Sequence, residues 1–353
     1  MGYSHLFFFR KYFYYHNRVY GYDLYISYMV NSIDIYINYF LKLNRGFNKG
    51  LGRAPHKPIL LISIIQLISK GVINSNRIYI TPELLLAYKE NWRNLVDTEH
   101  ISNFALPFFH MRSEPFWFLV TKPGMELKVN KSKSIKSFKN LKESIAFAEI
   151  DKNLFILLLD TLTRSVLEDF LLNEYFPSTK SQYNTNHINS EEVKIEEQIL
   201  NDDKAEYQSH LKQLRITLDD DEYEEELFIR GGLFKKTIPK IYNFSCCISG
   251  MRIESSQNAQ MIDACHIIPF SISNDDTIPN GISLSPNLHR AFDRGLITIN
   301  QDYIVRISPT IKENESVFSL SQFNGKQIIL PNKASWFPSP ESLQWHNKEV
   351  FAL

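Results

Sequence analysis

The hydrophobic pattern of residues 58–71 predicts a buried helix early in the chain. Pro58 suits the first turn of a helix, where its missing amide hydrogen would be unpaired anyway, and Gly71 suits the position after the helix ends. The positions between them are apolar nearly all round, which leaves no polar face for solvent, so we predict that this helix is buried. These apolar positions are Ile59, Leu60, Leu61, Ile62, Ile64, Ile65, Leu67 and Ile68.

The pattern continues as a mixture of helices and a strand up to residue 177. A second helix is predicted from Pro82, with Thr81 as its cap. Residues 104–120 contain two aromatic clusters and predict a loop that leads into a strand at 116–120. A third helix is predicted over 151–175, because the next proline would end it.

Residues 178–226 are the best candidate for a boundary between two domains, because their composition turns polar. Residues 192–214 are compatible with a helix, whereas the acidic run 219–226 predicts a solvated spacer. The chain would then divide into a first domain at 29–177, a linker at 178–226 and a second domain at 227–353. Residues 1–28 show no clear period, which leaves two readings open: an extension before a true start at Met29, or a packed N-terminal hairpin.

The stretch 263–295 predicts a strand, a long loop, a short strand and a helix. Ile267, Ile268 and Pro269 follow His266 like the end of a strand, and Asn280 precedes a glycine. The sequence Pro286-Asn287 is a typical helix start. His289 lies in the helix that follows, and Asp293 is four residues later on the same face. Towards the C-terminus, Trp345, His346 and Phe351 predict a closing helix that packs on this stretch, with His346 in a structural role.

Composition limits how the chain could bind its partners. Its 353 residues are enough for two domains, and 44% hydrophobic with 13% aromatic residues indicates a globular protein. The formal net charge is zero, so any binding of nucleic acid must rest on local patches. One candidate patch is residues 122–142, although a solvated surface loop explains it equally well. Its lysines include Lys128, Lys131, Lys133, Lys136, Lys139 and Lys142.

Cysteine usage and hydropathy favour a cytoplasmic protein. Cys246, Cys247 and Cys265 are too few for a disulfide framework in a chain of this length, and they suit a reducing compartment. No stretch reaches the roughly 20 apolar residues that span a bilayer, so no membrane association is expected.

His266, Asn280 and His289, in the setting described above, resemble the HNH endonuclease family and its ββα-metal finger. The likeness covers about the last third of the chain and follows the restriction-type branch. It implies that His266 is the general base, that Asn280 pins the loop and orients this base, and that His289 is a metal ligand. An imidazole with a pKa of about 6.5 can take a proton from water at neutral pH.

The family resemblance also implies a divalent metal ion, for which we expect Mg²⁺ or Mn²⁺. Asp293 is a second candidate ligand, one helical turn after His289. The residue before the catalytic histidine often supplies another ligand, but here it is Cys265, which could equally be a small buried residue. Asp263 is an alternative, because residues two apart on a strand share a face while His266 would point the opposite way.

Three arginines are candidates for phosphate contacts, whereas a structural zinc is not expected. Arg230, Arg290 and Arg294 are candidates for holding phosphate oxygens. Many HNH proteins hold a structural zinc with two CxxC pairs, but Ser249, Gly250, Ser285 and Leu288 occupy the corresponding region here. We therefore expect no structural zinc.

The motifs GRAPHKPILL, LPFFHM and FWFL resemble the sulfur-binding domain that precedes HNH modules in McrA-like, modification-dependent restriction enzymes. This likeness covers about residues 30–177. It implies that His56 and Lys57 lie at the rim of a groove, with Leu106, Pro107 and His110 forming a cup for the sulfur of phosphorothioated DNA. Leu106 and His110 depart from the aromatic and small residues of that pattern, which leaves another DNA modification open.

Together these observations predict an α+β protein with an N-terminal mixed helix and strand DNA reader and a C-terminal ββα-metal nuclease. The expected role is restriction of foreign or phosphorothioate-modified double-stranded DNA. Two alternatives are an HNH nuclease that reads another modified base or an unmodified sequence, and a DNA-binding protein without cleavage. Because one ββα site cuts one strand, double-strand cleavage would require a homodimer or two binding events.

Overall fold

The computed structural model describes residues 23–183, 190–253 and 261–351. The chain divides into two compact units, Met1–His187 (unit 1) and Ile188–Leu353 (unit 2). Both contain helices and short strands, which confirms the predicted α+β class. No helix among the described residues has the length and apolar character needed to cross a bilayer.

Unit 1 contains eight helices, counted over its described residues, and a small antiparallel sheet. The helices are α1 (Asp23–Leu41), α2 (His56–Ser69), α3 (Pro82–Leu95), α4 (Ala105–His110), α5 (Glu126–Lys131), α6 (Phe138–Ser144), α7 (Lys152–Leu159) and α8 (Thr161–Tyr175). The strands are β1 (Phe47–Asn48), β2 (Gly52–Arg53), β3 (Arg77–Ile78), β4 (Trp117–Thr121) and β5 (Ile145–Ile150). Strands β1 and β2 form a separate antiparallel pair, and the sheet order of the others is β3-β5-β4.

Helix α2 is the buried helix that the sequence predicts. Every residue from Lys57 to Ile68 is buried, and Gly71 has the positive φ of +70° expected after a helix end. The helix begins at His56, two residues before Pro58. Helix α3 is capped as predicted, because the Thr81 hydroxyl accepts a hydrogen bond of 3.2 Å from the Leu84 amide.

Three predictions for unit 1 need correction. Residues 105–110, expected within a loop, form helix α4, and the following strand is displaced by one residue from 116–120 to Trp117–Thr121. The single helix predicted over 151–175 is two helices, because the Asp160 carboxylate caps α8 by accepting a 2.9 Å bond from the Thr163 amide. Residues 1–22 lie outside the described residues, while 23–28 are helical and Met29 lies within α1.

Unit 2 begins with three helices where the sequence predicts a linker. They are α9 (Ser190–Asn201), α10 (Lys204–Thr217) and α11 (Asp220–Ile241). The acidic run is therefore the start of a 22-residue helix and not a solvated spacer. Its negative charges suit a helix N-terminus, and Asp219 forms a capping box with Glu222. Glu225 and Glu226 are buried.

The rest of unit 2 contains the predicted order of strand, loop, strand and helix. Its strands are β6 (Asp263–His266), β7 (Gly281–Leu284), β8 (Ile297–Ile299) and β9 (Val305–Ile307), and its helices are α12 (Phe270–Ser273), α13 (Pro286–Asp293) and α14 (Pro340–Glu349). Strands β6 and β7 pair antiparallel, with His266 opposite Gly281. Helix α11 packs on both strands.

Helix α14 is the predicted closing helix for Trp345 and His346, while Phe351 lies two residues beyond its end. The His346 ring stacks on Phe292 of α13, with ring centroids 3.6 Å apart. Its Nδ1 lies 2.8 Å from the Thr298 hydroxyl and its Nε2 lies 3.1 Å from the Phe292 carbonyl oxygen. Burial lowers the pKa of His346 to about 4. These contacts agree with the structural role predicted for this histidine.

Candidate active site

Asn280 holds the loop between β6 and β7 at two points along its backbone. Its side-chain amide donates 2.9 Å hydrogen bonds to the carbonyl oxygens of Ile268 and Asp275, and its Oδ1 accepts one of 2.9 Å from the Ile268 amide. Only 1% of Asn280 is exposed. A buried amide that satisfies three backbone groups holds the loop in one conformation. The side chain therefore contacts the loop backbone, as expected of a residue that pins the loop.

His266 ends strand β6 with its ring partly exposed to solvent. The ring lies flat on Phe234 of helix α11, with centroids 4.0 Å apart and an angle of 6° between the planes. Its Nε2 is 2.8 Å from Oδ1 of Asp276, whose carboxylate is almost fully buried. About 21% of the His266 side chain remains exposed. One face and one edge of the imidazole are thus held by protein.

Asp276 is a functional candidate that the sequence did not single out. It lies ten residues after His266 in a polar loop, next to a second aspartate, Asp275. The structure distinguishes the two carboxylates, because that of Asp275 accepts bonds from the amide and hydroxyl of Thr277. Burial raises the pKa of Asp275. Only the folding of the loop back onto the strand reveals which of them contacts His266.

Three potential metal ligands converge beside strand β6. The Sγ atom of Cys265, a ring nitrogen of His289 and a carboxylate oxygen of Asp293 all lie within 4.8 Å of one another. Cys265 is fully buried, and Sγ lies 3.8 Å from Oδ1 of Asp293. Burial raises the pKa of the Cys265 thiol well above its ordinary value. Thiolate, imidazole and carboxylate are all donors for divalent transition metals, so these side chains fit such an ion.

Asp263 lies on the far side of the His289 ring from this group. Its Oδ2 is 3.2 Å from Nδ1 of His289, while Nε2 of the same ring is 3.5 Å from Oδ2 of Asp293. A carboxylate that accepts from one ring nitrogen leaves the other nitrogen available as a ligand. The sequence predicts Asp263 as a possible metal ligand. This geometry instead favours a role in which Asp263 orients the ring of His289.

The three candidate arginines differ in their access to DNA. Arg290 and Arg294 are exposed at the end of α13. Arg230 is only 3% exposed, its Nε donates to Glu226 at 2.9 Å, and its guanidinium donates to Gln198 at 2.8 Å. The structure therefore contradicts a surface phosphate contact for Arg230, because the side chain is committed to a buried ion pair.

Of the rim residues predicted in unit 1, Lys57 is buried and His56 is half-buried. Lys57 is 5% exposed, and its ammonium group bonds to the carboxylate of Glu114 and, at 2.9 Å, to Ser113. His56 contacts the ring of Trp92 and lies 3.0 Å from the carbonyl oxygen of Ile101. Burial lowers the pKa of His56 to about 4, so the ring is neutral at neutral pH. Lys57 is thus not a free cation at a surface.

The residues predicted to form a cup lie together on the short helix α4. Leu106 and His110 are half-buried and Pro107 is buried. Nε2 of His110 is 2.9 Å from the Ser134 hydroxyl. Burial, followed by the charges of Lys57 and Arg112, lowers the pKa of His110. The lysines that surround Ser134 in the sequence are mostly exposed, from Lys128 to Lys139.

Comparison with known proteins finds a family match in unit 2. A family model described as "HNH endonuclease" matches residues 246–300. Among solved structures, one similar protein is a "Modification dependent TagI restriction endonuclease", with 19% sequence identity and a TM-score of 0.25. That match covers 33% of this chain and 37% of the other, so the chain spans little more than a third of that protein. No curated protein matches the chain.

The family match covers the cysteine pair 246–247, both strands β6 and β7, and helix α13. It also includes His266, Asn280 and His289, the residues that carry the resemblance in the sequence. We conclude that residues 246–300 of unit 2 form an HNH endonuclease domain.

Proposed function

We propose that this protein is a metal-dependent DNA endonuclease of restriction type, with unit 1 reading a modification of the DNA and unit 2 cutting it. The main support for this proposal is the position of two chemically different groups on one strand. His266, suited to act as a base, directly follows Cys265, which belongs to the group of potential metal ligands. Hydrolysis of a phosphodiester needs both functions close together.

In this proposal His266 takes the proton of the attacking water, since part of its ring reaches solvent. Cys265, His289 and Asp293 would hold a divalent ion, and Asp263 would orient His289. Such an ion, when bound, neutralises charge on the scissile phosphate and on the leaving oxygen. Asn280 keeps the loop closed over the end of β6. The exposed Arg290 and Arg294 would bind phosphate oxygens of the DNA.

For unit 1 we propose recognition of phosphorothioated DNA, on the basis of the motif resemblance and the character of α4. Sulfur is larger and less strongly hydrated than oxygen, so an apolar site accepts it at little desolvation cost. Leu106, Pro107 and a His110 whose pKa is lowered offer such a site. Lys57 could contact a phosphate only if its ion pair with Glu114 opened. The alternative that Leu106 and His110 favour is a different modification or an ordinary sequence.

The proposal also includes double-stranded DNA as the substrate and the reducing cytoplasm as the compartment. All three cysteines are free and buried. Cutting both strands would take two copies of unit 2, either in a homodimer or in two binding events.

The test compares matched plasmids with and without phosphorothioate, in the presence of Mg²⁺ or Mn²⁺. We expect cleavage of the modified plasmid, and a loss of about 10²-fold to 10⁴-fold in rate for His266→Ala, the range for general acid-base catalysis. His289→Ala should also lose cleavage and bind the metal more weakly. The matched control is His210→Ala, because His210 is an exposed histidine of unit 2 that pairs with Asp202, away from the proposed site residues.

Each outcome of this test favours one of the alternative functions. Equal cleavage of both plasmids would favour the nuclease that reads another modification or an ordinary sequence. Binding without cleavage would favour the DNA-binding protein. A folded His266→Ala protein that cuts as fast as the parent would contradict the proposed role of His266.

A further inference from the structure

A buried polar cluster lies behind the ring of His266. It consists of Asp276, Tyr207 and Arg230, and we call it the Asp276 cluster. Asp276 is 1% exposed and Tyr207 is 0% exposed. The Tyr207 hydroxyl donates to Oδ2 of Asp276 at 3.3 Å, while Oδ1 of the same carboxylate is 2.8 Å from Nε2 of His266. Each oxygen of this carboxylate therefore has its own partner.

Arg230 holds the outer end of the cluster. Its guanidinium lies over the Tyr207 ring, 5.5 Å from the centroid. The same guanidinium is fixed by Glu226 and by Gln198, on helices α11 and α9. A buried Tyr207 bounded by Arg230 on its ring face has little freedom to turn its hydroxyl away from Asp276. Arg230 is buried and does not reach DNA. Its role is instead to restrict Tyr207 behind the active site.

The geometry defines which nitrogen of His266 carries the proton. A carboxylate is a hydrogen-bond acceptor only, so the ring nitrogen that faces it must be the N–H donor in the neutral ring. That nitrogen is Nε2, which leaves the lone pair of Nδ1 free. Nδ1 has no hydrogen-bond partner among residues 23–183, 190–253 and 261–351. Stacking on Phe234 fixes the ring plane, and the bond to Asp276 fixes rotation within that plane.

We propose that Asp276 is the positioning residue of the nuclease site, which holds His266 as the Nε2–H tautomer so that Nδ1 is the atom that takes the proton from water. Tyr207 holds the carboxylate in place, with Arg230 behind it. This inference rests on the proposed function of His266 as the base. It assigns Asn280 the task of closing the loop and Asp276 that of orienting the base.

The first test uses the full-length, metal-free protein labelled with ¹⁵N at histidine. Nitrogen-proton correlation spectra at a pH where the ring is neutral report which nitrogen of His266 carries hydrogen. Assignment of the His266 signals comes from their loss in His266→Ala. We expect a protonated Nε2 and an unprotonated Nδ1. A wild-type protein in which Nδ1 carries the proton would overturn the proposal without any substitution at Asp276.

The second test removes the acceptor with Asp276→Leu, which has a similar size and cannot accept a hydrogen bond. We expect a mixture of His266 tautomers and a fall in kcat of about 10²-fold or more, the lower end of the range for general acid-base catalysis. The KM for DNA should change little, because a buried carboxylate does not touch the substrate. Tyr207→Phe should give a smaller fall in kcat, since Asp276 keeps its bond to His266.

Asp275→Asn is the matched control. Asp275 lies in the same loop and is 3% exposed, but its side chain bonds to Thr277 and not to His266. We expect this variant to keep the parent's tautomer and kcat. An Asp276→Leu protein that also keeps both, while His266→Ala is inactive, would overturn the role of Asp276 and leave the proposed function standing. Full cleavage by His266→Ala would instead refute the proposed role of His266 as the base, on which this inference rests.

Discussion

The sequence leaves two possible roles for Cys265, and its neighbours in the folded chain are needed to judge them. Its sequence position, just before His266, fits either a metal ligand or a small buried residue. In the structure the residue is fully buried, yet its Sγ lies within 4.8 Å of donor atoms of His289 and Asp293. Burial and ligation are therefore compatible here. The soft sulfur would shift the preference of the site from Mg²⁺ towards thiophilic metals.

We expect Cys265→Ser to weaken binding of Cd²⁺ and Co²⁺ by about tenfold or more, because changes even outside the ligand shell commonly cost about 10-fold to 100-fold. Binding of Mn²⁺, which prefers oxygen, should change less. Titration of the metal-free protein by calorimetry, with the sulfur-to-Cd²⁺ absorption band as a second readout, measures both effects.

The control for this prediction is Cys246→Ser. Cys246 is equally buried in unit 2, but it does not belong to the group of potential ligands. Equal Cd²⁺ affinity for the parent and for Cys265→Ser would show that the sulfur does not bind the metal.

At the scale of secondary-structure elements, strand β7 packs closely against helix α11 at Gly281. A Cβ atom added at Gly281 would lie 2.3 Å from Cδ1 of Ile238 and 2.8 Å from Cζ of Phe234. Only a glycine allows the strand to pack this tightly on the helix. Because Gly281 also pairs with His266 across the hairpin, this packing sets where the end of β6 lies.

We expect Gly281→Ala to destabilise unit 2 by about 1–3 kcal/mol, the usual cost of overpacking a core. Cleavage should fall as well, because the displaced Phe234 is the ring on which His266 stacks. Hydrogen exchange of peptides from residues 261–351, measured in increasing urea, would report the stability of this unit.

Gly231→Ala is a control for which we expect a change in stability in the opposite direction. Gly231 lies within α11, and nothing is within 4 Å of a Cβ added there. Replacing it with alanine should stabilise the helix by about 1 kcal/mol. If Gly281→Ala were as stable as Gly231→Ala, the proposed tight contact between β7 and α11 would be refuted.

At the scale of the whole molecule, zero net charge does not prevent DNA binding, because the charge is unevenly distributed. The predicted basic patch of unit 1 is exposed at Lys128, Lys131, Lys133 and Lys136. It includes the end of α5 and the loop that carries Ser134, the hydrogen-bond partner of His110. Both readings, a track for the phosphate backbone and a solvated surface, predict exposed lysines, so salt dependence must decide between them.

We expect replacement of these four lysines by glutamine to reduce the steepness of log K against log salt by about 0.9 for each phosphate that the variant no longer neutralises. Binding would be measured by fluorescence anisotropy on uncleaved DNA, with His266→Ala as the background. Lys42→Gln with Lys49→Gln is the control, since both lysines are exposed in unit 1 outside the patch. An unchanged slope in the fourfold variant would favour the solvated surface.

The local features of the fold follow from short stretches of the amino-acid sequence. Helix α2 could be predicted because its apolar residues and its Gly71 are contiguous, and Thr81 caps the next helix through a neighbour three residues away. The order of strand, loop, strand and helix around His266 and His289 likewise depends on short-range spacing. The prediction of a spacer at the acidic run was wrong, because a charged stretch is compatible with both a spacer and the start of a helix.

Which polar side chains meet could be known only from the folded chain, because contacts between distant residues depend on how the elements pack. Folding buries Lys57 and Arg230 in ion pairs, although an isolated basic residue suggests a surface position. It brings Cys265 to His289 and Asp293, and it places Asp276 rather than Asp275 against His266. The sequence alone therefore predicts which residue types form the site. Packing against α11 and α13 decides which side chain each of them contacts.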